Sequence, residues 1–149
     1  MLFRFWGIVA LLFVIDQLTK WLARFVLDAG AIDVGFIQFT LVYNMGAAYG
    51  ILANFTMVLT VIGVAVITYL VIQLKQLIVN RVTFFGYAFI MAGAIGNTMD
   101  RIMFGKVTDF LNIHIIPVFN VADVCLNIGL GLLIFQFVWY EKRRSNHSV

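Results

Sequence analysis

Serine is almost missing from this 149-residue chain, occurring only at Ser145 and Ser148. Outside that tail there is no serine nucleophile, which removes the Ser-His and Ser-Lys hydrolases from consideration. Histidine is nearly as scarce, with His114 and His147 and no His-Glu-x-x-His pattern, so a zinc hydrolase lacks its ligands. A lone cysteine, Cys125, cannot form an internal disulfide, and its place in an apolar run makes it a packing residue. The single proline, Pro117, lies where it can end a loop before a helix. Charge is sparse too: 11% of residues are charged, against about 25% in soluble proteins.

What is present is hydrocarbon. Hydrophobic residues make up 63% of the chain and the mean hydropathy is +1.02, so lipid is the solvent. About 20 apolar residues cross the hydrocarbon layer as a helix. Four segments qualify, at about 3 to 26, 55 to 74, 82 to 100 and 119 to 140. The first is too long, and too polar at Asp16, Gln17 and Lys20, for a cleaved leader, and is expected to remain as an anchor. Arg4, Lys75, Arg81, Lys142, Arg143 and Arg144 fall on one side of a four-pass chain, while Arg24, Arg101 and Lys106 fall on the other. The positive-inside bias then places both termini in the cytoplasm, with loops 27 to 54 and 101 to 118 facing outward. The expected class is an all-α membrane protein, one domain over 1 to 149. Alternation over 31 to 43 predicts short strands in a small surface subdomain between helices one and two.

There are only six aspartates and one glutamate. A carboxylate at the centre of a membrane helix costs roughly 2.5 to 3.5 kcal/mol, so each one within or beside a span needs a reason. The polar residues gather toward the outer leaflet and share faces. Asn120, Asp123 and Asn127 stack by three and four on helix four, and Gly93, Gly96 or Asn97, and Asp100 do so on helix three. Asp16 and Lys20, four apart, can pair on helix one. These positions predict a polar cavity walled by three helices and open outward. Two carboxylates close enough to share a proton separate into a base and an acid, and Asp109 with Asp123 is the natural pair.

Five blocks carry a resemblance to a known family. Asp16-Gln17-Leu18-Thr19-Lys20, Asn44-Met45-Gly46-Ala47-Ala48-Tyr49-Gly50, Gly93-Ala94-Ile95-Gly96-Asn97-Thr98-Met99-Asp100-Arg101, Val107-Thr108-Asp109-Phe110 and Phe119-Asn120-Val121-Ala122-Asp123 together resemble the lipoprotein signal peptidases, or signal peptidase II. Ala92 stands where a second glycine is common, and Tyr49 where phenylalanine or tryptophan is more usual. The resemblance implies an aspartyl endopeptidase of the bacterial plasma membrane, its active site toward the outer side. It would cut diacylglyceryl-modified prolipoproteins just before the lipidated cysteine and be inhibited by the peptide globomycin. It implies catalysis by Asp109 and Asp123, substrate binding by Asn44, Gly46, Asn97, Arg101 and Asn120, and support from Asp16, Lys20, Asp100 and Ala122. No cofactor, metal or nucleic acid is implied; the partners are prolipoprotein substrates and membrane lipid.

Structural roles compete with these. Asp16 and Lys20 can be a simple ion pair, Asp100 and Arg101 can finish helix three at the interface, and Gly93 and Gly96 are helix-packing residues. Asn127 is expected to make a buried interhelical hydrogen bond. His114, Asp28 and Asp33 are expected in solvated loops. A proton-coupled transporter or small channel, and a non-catalytic membrane subunit that recognises lipid or a partner helix, are the rival functions. The first would spread its charges through the full depth of the bundle, and the second would tolerate conservative loss of the two aspartates.

Overall fold

The computed structural model of the chain describes residues 1–46 and 55–146. Its elements are α1 (Leu2–Val26), a 3-10 turn at Leu27–Ala29, β1 (Ile32–Asp33), β2 (Gln38–Asn44), α2 (Thr56–Leu77), α3 (Arg81–Phe104), β3 (Val107–Asn112) and α4 (Val121–Asn146). All four α-helices are long and apolar enough to cross a membrane. They overlap the predicted segments, but α2, α3 and α4 end later, at Leu77, Phe104 and Asn146, and the last also starts later. Helix α4 begins at Val121, so Phe119 and Asn120 stay outside it, and Phe119 pairs with Leu111 in an isolated bridge.

Helix α3 is the axis of the bundle, packing against α1, α2 and α4. In its most apolar window 56% of residues are buried, against 17%, 11% and 17% in the other three, so those helices turn most of their apolar surface outward from the bundle. Small residues set how closely α3 and α4 approach. A Cβ added to Gly86 would lie 2.7 Å from Leu133 Cδ2, and one added to Gly129 would lie 2.7 Å from the Gly86 carbonyl. Backbone meets backbone there, which only glycine permits. Toward the chain-terminal end, Phe5, Val9, Leu70, Leu74, Ala88 and Met91 form an apolar core shared by α1, α2 and α3.

Helix α3 is closed at both ends by its own sequence. Asn80 accepts from the Thr83 amide at 2.9 Å while the Asn80 amide donates to Thr83 Oγ1 at 3.1 Å, a reciprocal capping box. Gly105 ends the helix at φ +68°, a left-handed conformation that suits glycine. That turn sends the chain into β3.

The three strands form one antiparallel sheet, ordered β1-β2-β3. Strands between α1 and α2 agree with the sequence expectation; what needs correcting is a class that is all-α apart from that one loop. The sheet joins both loops, and its third strand, which carries Asp109, comes from between α3 and α4. Nothing in 107 to 112 alternates enough to announce this, because Val107, Thr108, Asp109 and Phe110 are all buried. The β2–β3 register shifts by one residue between Phe39, opposite Leu111, and Val42, opposite Asp109. Such an irregularity re-aims side chains beyond it. Asn44 pairs with Val107, making Asp109 its diagonal neighbour. Beneath the sheet, Phe110 packs on Ala23 and Leu27.

Candidate active site

Asp109 and Asp123 reach the same place from different elements, and Asn120 joins them. The Asn120 side-chain amide donates to Asp109 Oδ1 at 2.6 Å, while its backbone N–H donates to Asp123 Oδ2 at 3.1 Å. In return the Asp123 backbone N–H donates to Asn120 Oδ1 at 2.9 Å. Asn120 is thus the N-cap of α4 as well as the link between the carboxylates. Asp123 lies in the first turn of that helix, where the helix dipole favours negative charge.

Each remaining oxygen has its own amide. Asn44 Nδ2 donates to Asp109 Oδ2 at 3.1 Å, and Asn97 Nδ2 donates to Asp123 Oδ1 at 2.8 Å. All four carboxylate oxygens therefore accept from neutral donors. The donors are themselves oriented: the Gly46 N–H donates to Asn44 Oδ1 at 3.1 Å, and Lys20 Nζ (3.0 Å) and Asn120 Nδ2 (3.1 Å) both donate to Asn97 Oδ1. Those contacts fix which end of each amide faces the aspartate. Asp109 is 2% exposed whereas Asp123 is partly open. Burial, and secondarily the charge of Asp123, raises the Asp109 carboxyl to about 6 despite the opposing hydrogen bonds from Asn44 and Asn120.

Behind the pair lies a buried ionic cluster. Lys20 Nζ is 2.9 Å from Asp16 Oδ2 and 3.6 Å from Asp100 Oδ2, with all three side chains at most 1% exposed. Arg24 adds a weaker contact to Asp100 at 3.7 Å. Asp16 Oδ1 accepts the Ala122 N–H at 2.8 Å, and Asp100 Oδ2 accepts the Thr108 N–H at 3.0 Å. So the cluster grips the backbone one residue before each of Asp109 and Asp123. Gly96 makes room for it: a Cβ there would sit 2.5 Å from Asp16 Oδ2 and 3.2 Å from the Ala122 Cβ. Asp100 is therefore buried rather than finishing α3 at the water boundary.

Arg101 borders the pair on the α2 side. Its Nη1 donates to the Asn97 carbonyl at 3.4 Å, and its buried Nε has no partner among the described residues. A cavity of about 660 Å³ opens beside it, lined by Met45, Thr56, Thr60, Val61 and Gly105.

The structure thus gathers Asn44, Gly46, Asn97, Arg101, Asn120, Asp16, Lys20, Asp100 and Ala122 around Asp109 and Asp123. Asn127 is left out. It is exposed and donates to the Asp123 carbonyl of its own helix at 2.9 Å, instead of bonding across the bundle. The polar stripe on α4 ends one turn earlier than its spacing suggests, because at Asn127 no other helix covers that face. His114, Asp28 and Asp33 are exposed as expected, and Cys125 is buried. Ala47 to Gly50, and with them the Tyr49 departure, lie outside the described residues. Two participants went unassigned in the sequence: Gln17, whose Nε2 donates to Asp16 Oδ2 at 3.1 Å and Asp100 Oδ1 at 3.3 Å, and Thr108. The signal for Gln17 was its adjacency to Asp16. Thr108 contributes only backbone, which no side-chain pattern reveals.

Residues 8–139 match the family model described as Signal peptidase (SPase) II. The chain is 34% identical to the lipoprotein signal peptidase of Solibacter usitatus, over 96% of this chain and 95% of that one. It is 37% identical to that of a Janthinobacterium species, over 87% and 85%. Among solved structures, a bacterial membrane enzyme determined by the in meso method at 2.3 Å superposes with a TM-score of 0.85 at 29% identity, covering 96% of this chain and 90% of that one. A second, at 1.9 Å, gives 0.82 at 28% identity, covering 90% and 92%. Matched along nearly its whole length in sequence and in fold, the chain belongs to the signal peptidase II family.

Proposed function

We propose that this chain is a membrane aspartyl endopeptidase that removes signal peptides from diacylglyceryl-modified prolipoproteins, cutting just before the lipidated cysteine. Family membership supports a protease that processes lipoprotein precursors in a bacterial membrane. The observation that carries the finer reading is Asn120 bonded to both Asp109 and Asp123, which holds two carboxylates at one site where they can divide acid and base work.

In this reading the pair holds one proton. The ionised member takes a proton from a water as it attacks the scissile carbonyl, and the protonated member donates to the carbonyl oxygen and then to the leaving amine. Each oxygen that accepts one amide keeps a second lone pair for water or substrate. Asn44, Asn97 and Asn120 hold the carboxylates while Arg101, whose buried Nε has no partner among the described residues, binds the substrate backbone from the cavity beside α2. Asp16, Lys20, Asp100 and Ala122 position these groups.

The substrate fits the setting. A signal peptide's apolar core and the acyl chains on the cysteine both partition into lipid, which brings the scissile bond to the end of the bundle where the carboxylates lie. With both termini cytoplasmic, as the basic residues suggest, that end faces the outer side of the plasma membrane.

The test is cleavage of a purified prolipoprotein in detergent. The wild-type protein is expected to process the diacylglyceryl form and not the unlipidated form, and globomycin is expected to block it. Asp109→Asn and Asp123→Asn should each reduce the rate by about 10² to 10⁴, the share general acid–base groups supply. An unchanged rate in either variant overturns that residue's assignment, and equal processing of the unlipidated precursor overturns the substrate class.

A further inference from the structure

At the end of the bundle opposite the carboxylates there is a second feature that peptide hydrolysis does not use. The first turn of α1 and the start of α3 enclose a cavity of about 620 Å³. Arg4 and Arg81, 77 positions apart in sequence, both line it. Both are exposed, and neither makes an ion pair with any described carboxylate. The walls are apolar: Ile8 from α1, Ile78 from the turn after α2, and Phe84 and Phe85 from α3. Phe84 is held edge-on against the fully buried Phe5, ring centroids 5.7 Å apart, so this wall belongs to the packed core.

We infer that this cavity binds an anionic phospholipid, the phosphate between Arg4 and Arg81 and the first methylenes of its chains against Ile8, Phe84 and Phe85. Two observations favour lipid over other occupants. The charged groups and the apolar wall share one opening at a helix terminus, the depth at which a phospholipid changes from phosphate to hydrocarbon. The neighbouring surface of α1, at Leu2, Phe3 and Trp6, is exposed and apolar, so acyl chains leaving the cavity stay in contact with protein. A basic bias that only sets topology is satisfied by charges anywhere on that side. Here two of them converge on one cavity.

Native mass spectrometry that resolves individual bound lipids provides the test, using the full chain in detergent with phosphatidylglycerol or phosphatidylcholine added. The expected result is preferential retention of phosphatidylglycerol, weakened roughly fivefold for each guanidinium removed in Arg4→Gln, Arg81→Gln and the double variant. A control variant, Lys75→Gln with Lys142→Gln, removes the same charge outside the cavity and should retain the lipid. If the control loses lipid as much as the double variant does, the attraction is diffuse and the site is overturned. Full displacement by glycerol 3-phosphate, which has no acyl chain, overturns it as a lipid site. If the double variant does not fold, Arg4→Gln, on the exposed first turn of α1, carries the comparison alone. Because this cavity is a helix length from Asp109 and Asp123, cleavage of detergent-dispersed substrate should stay unchanged in the arginine variants.

Discussion

Asp109 is the residue whose surroundings most change its chemistry. Its carboxyl is raised to about 6 from a reference near 4, so the folded chain holds this proton more tightly than the unfolded chain. The stability it contributes is fully present below about pH 4 and is lost as pH rises through about 6. About two units correspond to about 3 kcal/mol. Thermal unfolding of wild type and Asp109→Asn in detergent, compared between pH 4 and pH 8, should show this: the wild type loses stability with rising pH relative to the variant. A pH-independent difference would contradict it. Removing the neighbouring charge has a defined sign as well. In Asp123→Asn the Asp109 titration should move to lower pH, readable from its carboxyl band in infrared difference spectra.

Among elements, α1 meets α3 through a buried ionic cluster as well as the apolar core, while α3 meets α4 through close glycine contacts as well as the Asn97–Asp123 hydrogen bond, and the ionic and steric parts fail differently. Lys20→Met leaves Asp16 and Asp100 buried without their shared cation, a loss expected to cost 3–5 kcal/mol. Adding Asp16→Asn should recover part of it, as a melting series in detergent would reveal. For the steric contact, a Cβ on Gly93 would lie 2.8 Å from Leu126 Cγ, so Gly93→Ala is expected to destabilise by about 1–3 kcal/mol. Gly7→Ala, with nothing within 4 Å of the added carbon, serves as the neutral comparison. Equal melting temperatures for the two would refute close backbone packing at Gly93.

The helices were legible because each needs only length and apolar composition, both local properties. The polar faces of α1 and α3 were legible for the same reason: spacing by three and four fixes direction on a helix. Sequence spacing could not reveal β3, since a strand buried along most of its length has no alternation. Nor could it reveal that Lys20 reaches Asn97, 77 positions away, or that α4 leaves Asn127 exposed. Those depend on how helices cross, which sequence spacing within one helix does not encode. The pairing of Asp109 with Asp123 was suggested by order along the chain, but its geometric agent, Asn120 standing just outside α4, emerged only with the helix boundary at Val121.

Taken as a whole, the molecule keeps its charged groups apart in two layers. The acidic and amide groups sit at one end of α3 and Arg4 and Arg81 at the other, with apolar core between. That distribution does not fit a proton-coupled transporter, which needs polar groups through the full depth. Since α3 binds α1, α2 and α4 along its length, helices inserted separately should still find each other. A chain divided between Val79 and Asn80, its halves co-expressed, is expected to reassemble and regain prolipoprotein processing. Absence of activity with both halves present and inserted would argue that the short connection itself is required.

The sheet that spans both loops has a consequence for biosynthesis. Asn44 is made early, Asp109 only after the third helix, and Asp123 only as the fourth begins. A nascent chain paused after α3 already owns much of the scaffold yet has neither acid nor base, so on the proposed mechanism it is chemically inert. Proteolytic power would switch on only as the fourth span begins, when the three helices that scaffold the site have already been made.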